Sequence, residues 1–154
     1  MDIKKMQQVF FDSSALIKYY KKDEKGCDKV WKILNSKNRG FSVTWLTIAE
    51  VINVLKCRLN GKELIEALDR LIADISGQKF AIFSPESGKS IFDVTRQVEE
   101  YKEKYNIDLV DAYNLHFIDS EFRKRKYTPK PLIVCSDKKL NKAFEELGWE
   151  VCDP

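Results

Sequence analysis

The stretch Val9-Phe10-Phe11-Asp12-Ser13-Ser14-Ala15-Leu16 decides how the chain is read. A short apolar run reads as a buried strand, and this one ends in an acid followed by two small hydroxyl residues able to open a helix. In an open α/β sheet such a strand-to-helix junction lies on the carboxyl edge, where ligands bind. An aspartate there faces whatever the protein acts on. A working site on that edge would need further acids from the rest of the chain to reach it.

Outward from this stretch, strands are expected at 9–12, 41–44, 79–83, 131–135 and 149–152. Helices fall between them. Residues 15–22 and 25–35 form two short ones. Ile48, Val51, Ile52, Leu55 and Leu59 make one apolar stripe, and Leu64, Ile65, Leu68, Leu71, Ile72 and Ile75 make the next after Gly61. A long helix is expected over 87–105, another through Leu115, Ile118 and Phe122, and a last one through Leu140, Ala143, Phe144 and Leu147. Strands alternating with helices predict a three-layer α/β/α sandwich around a mainly parallel sheet of about five strands. No repeat or linker divides the chain, so residues 1–154 read as one domain.

Composition narrows the chemistry. With 44% hydrophobic and 33% charged residues, the chain is ordinary globular protein rather than disorder or fibre. No apolar run is long enough to span a bilayer and no signal-peptide pattern opens the chain, so a cytoplasmic protein with no membrane partner is expected. The formal charge of +3 permits a polyanionic partner without demanding one. The four cysteines form no C-x-x-C pair, which argues for reduced, mostly buried thiols. A single histidine, His116, excludes any mechanism that needs two imidazoles. Catalysis would therefore lean on carboxylates and a metal ion.

Four acids share one grammar. Asp12 and Asp137 each end an apolar strand, Glu50 lies about one helical turn beyond a strand, and Asp111 lies near a helix start. The three that follow strands must be neighbours at the carboxyl edge. Asp111 follows another helix, so periodicity does not bring it there. Capping explains each acid singly: Thr47-x-x-Glu50 fits a capping box, Asp108 and Asp111 fit N-cap and N3, and Asp137 or Ser136 could cap the last helix. Asp12 fits capping least, because Ser13 or Ser14 would serve. Crowded carboxylates repel one another, whereas caps of Ser, Thr or Asn carry no such cost. Oxygen-rich clusters suit hard divalent cations such as Mg²⁺ or Mn²⁺.

Taken together, Asp12-Ser13-Ser14 after its strand, Glu50 within Thr47-Ile48-Ala49-Glu50-Val51, Asp111-Ala112 within Ile107–Tyr113, Leu132-Ile133-Val134-Cys135-Ser136-Asp137 and the tail Glu146-Leu147-Gly148-Trp149-Glu150-Val151 resemble the PIN-domain ribonucleases. The resemblance extends to the VapC-like toxins of VapBC-type toxin–antitoxin pairs and runs nearly the full chain. It implies a PIN-like fold with Asp12, Glu50, Asp111 and Asp137 as catalytic, metal-binding acids around Mg²⁺ or Mn²⁺. It implies an endoribonuclease that hydrolyses RNA phosphodiester bonds, a cognate antitoxin and a homodimer. The helices from Ile48 to Ile75 are the candidate docking and dimerisation surface. Many relatives carry threonine where Cys135 stands.

Around the acids, Ser13, Ser14, Asp108 and Ser136 are candidate supporting groups, with an N-cap the favoured role for Asp108. Arg123, Lys124, Arg125 and Lys126, with Lys138 and Lys139, are candidates for holding an RNA backbone, against a solvated face. His116 is expected to point away from the site. Three alternatives stay open: a PIN-domain RNA-processing nuclease without a toxin role, a non-catalytic PIN-like module binding RNA or protein, and a phospho-receiver domain. The last wants a phosphorylatable aspartate ending a middle strand, and Val43-Thr44 and Phe83-Ser84 offer none.

Overall fold

A computed structural model describes residues 6–84 and 91–154, with only the backbone described at 91 and 92. Its elements in chain order are β1 (Gln7–Phe11), α1 (Ser13–Tyr20), α2 (Cys27–Leu34), β2 (Arg39–Thr44), α3 (Trp45–Arg58) and α4 (Gly61–Ser76). There follow β3 (Ala81–Phe83), α5 (Ile91–Tyr105), α6 (Leu109–Arg125), β4 (Leu132–Val134), α7 (Lys138–Glu146) and β5 (Glu150–Cys152). All the strand pairings are parallel, and the order across the sheet is β3-β2-β1-β4-β5. The expected sandwich is the one observed. The expected helix start at residues 87–90 lies outside the described residues.

β1 is the axis of the molecule. Side chains alternate across a strand, so Val9 and Phe11 face one layer and Phe10 the other. On one side Val9 and Phe11 pack with Leu16, Val30, Leu55 and Leu71 from α1 to α4. On the other, Phe10 packs with Leu115, Phe122, Leu140 and Phe144 from α6 and α7. The buried half of the strand, Val9–Phe11, carries no polar side chain because both its faces are covered, while Gln7 and Gln8 lie where the strand is only partly buried. From β1 the chain steps to β2 and β3 in one direction, while β4 and β5 fill the other side. The sheet reverses between β1 and β4, and in such sheets the crevice at the reversal is the ligand site.

Most element boundaries shift by one or two residues from expectation, and two of the shifts have identifiable reasons. β3 starts at Ala81 rather than 79, because the Lys79 amide donates to the Asp74 carbonyl and stays with the end of α4. α2 starts only after Gly26, whose φ of +92° is left-handed and whose missing Cβ would meet the Pro154 carbonyl carbon at 2.6 Å. Among the described residues no helix is long and apolar enough to cross a membrane. On α4, Ala67 and Leu71 turn inward, while Ile65 and Ile72 are 61% and 59% exposed.

Candidate active site

Asp12 stands where β1 hands over to α1. Its backbone stays extended, at φ −80° and ψ 158°, so Ser13 is already the first helical residue. Asp12 is therefore itself the N-cap, contrary to the expectation that a serine would take that duty. Its Oδ2 accepts from the Ser14 amide at 3.0 Å and from Ser14 Oγ at 2.7 Å, with Cys135 Sγ at 3.6 Å. The residue is 1% exposed, and its Oδ1 is buried without a partner. Burial pushes the carboxyl up from its ordinary value, against the pull of the serine bonds.

Ser14 joins two loops. While its hydroxyl donates to Asp12, its Oγ accepts from the Ser136 amide at 2.9 Å. That ties the first turn of α1 to the β4–α7 junction. Asp137, two residues past Cys135, caps α7, its Oδ1 accepting from the amides of Lys139 at 2.8 Å and Leu140 at 2.9 Å. Ser136 Oγ is buried and unpartnered.

Glu50 does not form the expected capping box. Thr44 caps α3, accepting from the Thr47 amide at 3.1 Å, so Thr47 is already inside the helix and Glu50 has no amide to satisfy. Its Oε2 is buried without a partner. Burial pushes this carboxyl up as well; a hydrogen bond with the Ser13 side chain opposes it, and the charges of Asp12 and Asp108 add to it.

Asp111 reaches the same place by another route. Asp108 caps α6, its Oδ1 accepting from the Asp111 amide at 2.9 Å, which leaves the Asp111 side chain free of capping duty. Its carboxyl is pushed up to about 8, first by burial, then by the charges of Asp12, Asp108, Glu50 and Asp137. The charges of the other three predicted acids, and of Asp108, thus all reach Asp111, and those of Asp12 and Asp108 reach Glu50 as well. Among the described residues no three His, Cys, Asp or Glu side chains are gathered closely enough to hold a metal ion as they stand. The four acids form a shared field rather than a closed cage. The donor set nonetheless suits a hard divalent cation: oxygen only, with one buried oxygen each on Asp12 and Glu50 lacking any partner.

A buried polar contact absent from the sequence reading holds α6 at the sheet edge. Thr44 Oγ1 donates to Asn114 Oδ1 at 2.6 Å, and the Thr47 hydroxyl lies 3.1 Å from Thr44 Oγ1. The one available signal was an asparagine at a buried helical position, three residues past Asp111.

The basic candidates separate. Arg123 Nε donates to Asp119 at 2.8 Å and its other arm to the Leu147 carbonyl, while Arg125 donates to Glu121 at 2.9 Å. At the helical rise, Arg123 lies about 18 Å along α6 from Asp111. The run from Arg123 to Lys126 is therefore at the opposite end of that helix from the acids. Lys138 and Lys139 are exposed and open α7 directly after Asp137. His116 is buried among Tyr101 and Phe117, its ring centroid 6.4 and 5.8 Å from theirs.

A parallel five-stranded sheet covered by helices is the PIN-like fold of VapC toxins. Mycobacterium tuberculosis VapC20, described as a Sarcin-Ricin loop cleaving toxin, matches at TM-score 0.65 and 14% identity over 95% of this chain and 99% of its own. VapBC2 from Rickettsia felis, bound to a DNA fragment from their promoter, matches at TM-score 0.60 and 13% identity, over 95% and 98%. PAE2754 from Pyrobaculum aerophilum matches at 0.60 and 17%, over 90% and 86%. At such identities the likeness is one of fold. No protein-family model and no curated protein sequence matches the chain.

Proposed function

We propose that this chain is a metal-dependent endoribonuclease of the PIN type, acting as the toxin of a toxin–antitoxin pair. One observation carries the reading: four carboxylates from separate elements share one field at the sheet's reversal, and two of their buried oxygens have no protein partner. Asp12, Glu50, Asp111 and Asp137 would hold Mg²⁺ or Mn²⁺. When bound, the ion lowers the pKa of a coordinated water and neutralises charge on the phosphate.

The chain's own residues do the rest. Ser14 fixes the Asp12 carboxylate so that Oδ1 is the oxygen left to bind. Ser13 steadies Glu50. Asp111, pushed up to about 8 by burial and by the neighbouring acids, is the carboxyl whose ionised form a cation placed among them would stabilise most. Lys138 and Lys139, beside Asp137, would hold the RNA backbone on either side of the cleaved bond. The products would carry a 5′-phosphate and a 3′-hydroxyl. Outward-facing Ile65 and Ile72 on α4 are the candidate surface for a cognate antitoxin or a second copy. The VapBC2 structure, with its promoter DNA, supports the paired arrangement by fold likeness.

Asp12→Asn tests this directly. Purified variant protein should lose Mn²⁺-dependent RNA cleavage by roughly 10³-fold, the scale of several kcal/mol of charge stabilisation. Cleavage at the wild-type rate would overturn the assignment. Chelator-insensitive RNA binding without cleavage in the wild type would point to a binding module instead.

A further inference from the structure

Nothing in the order of elements explains why Asp111 reaches the acids. Asp12 and Asp137 are delivered by strands that end at the carboxyl edge, and Glu50 by the helix that follows one. α6 follows α5, so no strand end sets its height or its rotation. Some contact must fix both.

Asp119 and Arg123 tie the far end of α6 to Trp149 and Leu147; near the acids the directional contact is Thr44 with Asn114. Both side chains are wholly buried, and Thr44 Oγ1 meets Asn114 Oδ1 at 2.6 Å. Thr44 caps the helix that carries Glu50, and Asn114 lies one turn beyond Asp111 on α6. This single hydrogen bond therefore joins the carriers of two acids. Its proton accounting is consistent: a hydroxyl has one proton to give, and Thr44 gives it to Asn114. Thr44 Oγ1 then accepts from the Thr47 amide, and the Thr47 hydroxyl is placed to donate to it as well.

The pair is not what stability alone would select. Asn114 Nδ2 is buried without an acceptor, which costs about 1–3 kcal/mol. Leucine or alanine there would fill the space without that cost. Apolar packing, however, is non-directional, and a helix held only by it can slide along its grooves. A short hydrogen bond fixes position to a few tenths of an ångström and fixes rotation as well. We propose that Asn114, through its bond to Thr44, is a positioning residue that holds Asp111 in register with Glu50 and Asp12. The inference rests on the nuclease reading of the acids.

Full-length Thr44→Val, Asn114→Leu, the double variant, Thr44→Ser and Asp111→Asn test it. Each is measured by thermal melting, Mn²⁺ calorimetry without RNA, and kcat and KM on RNA. Exchanging both polar partners for apolar ones of similar shape removes their bond at little cost, so the double variant should melt only about 2–4 °C lower, from loss of the Thr44 cap on α3. Its Mn²⁺ affinity and kcat should each fall about tenfold, the usual cost of losing a group that orients a ligand, with KM for RNA little changed. Thr44→Ser keeps the hydroxyl and should restore both. Wild-type Mn²⁺ binding and kcat in the double variant would overturn the proposal, as would a Thr44→Ser protein as defective as Thr44→Val. If the double variant does not fold, Asn114→Leu, which leaves the Thr44 cap on α3 intact, decides by the same Mn²⁺ and kcat measurements. Asp111→Asn separates the two levels. If it binds Mn²⁺ and cleaves like wild type, the nuclease reading falls and takes this proposal with it. If it is inactive while the Thr44 and Asn114 variants are normal, only this proposal falls.

Discussion

The two ends of α6 handle aspartate in opposite ways. Near its C-terminus Asp119 is buried and fully served, its Oδ1 accepting from Arg123 at 2.8 Å and from Trp149 Nε1 at 2.9 Å, with the Arg123 guanidinium over the Trp149 ring. Near its N-terminus Asp111 is half-buried among Asp12, Asp108, Glu50 and Asp137, and burial with their charges pushes it up to about 8. One end lowers the energy of the fold. The other raises it, which is the usual signature of a site kept for work rather than for stability.

The largest effect should come from breaking the settled end. Asp119→Ala strands the Trp149 indole N–H and takes one of two partners from the Arg123 guanidinium, at about 1–3 kcal/mol. The melting temperature should drop by roughly 4–8 °C, with RNA cleavage per folded molecule unchanged. A loss of specific activity without loss of stability would place the function at the wrong end of the helix.

The same residue type at the other end should answer with the opposite sign. Below the ordinary aspartate value of 3.8, Asp111 is protonated both folded and unfolded and carries no penalty. Between about 4 and 8 the folded protein keeps a proton the unfolded chain has lost, so stability falls as pH rises. Above about 8 the penalty is complete. Metal-free wild type should therefore melt lower at pH 8 than at pH 5. Asp111→Asn should flatten that dependence and raise the pH 8 melting temperature by roughly 2–4 °C, about 1 kcal/mol after allowing for solvent screening of a half-buried group. Melting curves of the two proteins across this range make the comparison.

The smallest effect sharpens the contrast for RNA. Alanine at Lys138 and Lys139 should weaken RNA binding a few-fold at low salt and lower the salt slope by about one to two. Alanine at Arg123 and Arg125, already engaged with Asp119 and Glu121, should leave that slope unchanged. Filter binding over a salt series reads both.

Much of this was legible from residues close in sequence. The apolar runs at Val9–Phe11 and Leu132–Val134 announced central strands because a buried parallel strand admits no polar side chain. Asp12, Glu50 and Asp137 followed from strand ends. Asp12 as its own cap was hidden by two adjacent serines that looked like better caps. The position of Asp111 was hidden more deeply, since it depends on Thr44 and Asn114, whose side chains meet only after folding. The resemblance to PIN domains supplied that position where periodicity could not. The run from Arg123 to Lys126 stood as a candidate for holding an RNA backbone; counting the rise along one helix places it about 18 Å from Asp111.

The Ser14 hydroxyl, placed between Asp12 and the Ser136 amide, has a consequence for how the molecule breathes. Neither the first turn of α1 nor the β4–α7 junction can swing outward without losing the same oxygen. The two loops then form one opening unit, and the amides of Ser14 and Ser136 should take up deuterium at a common rate. Replacing that serine by alanine would let each loop exchange on its own clock.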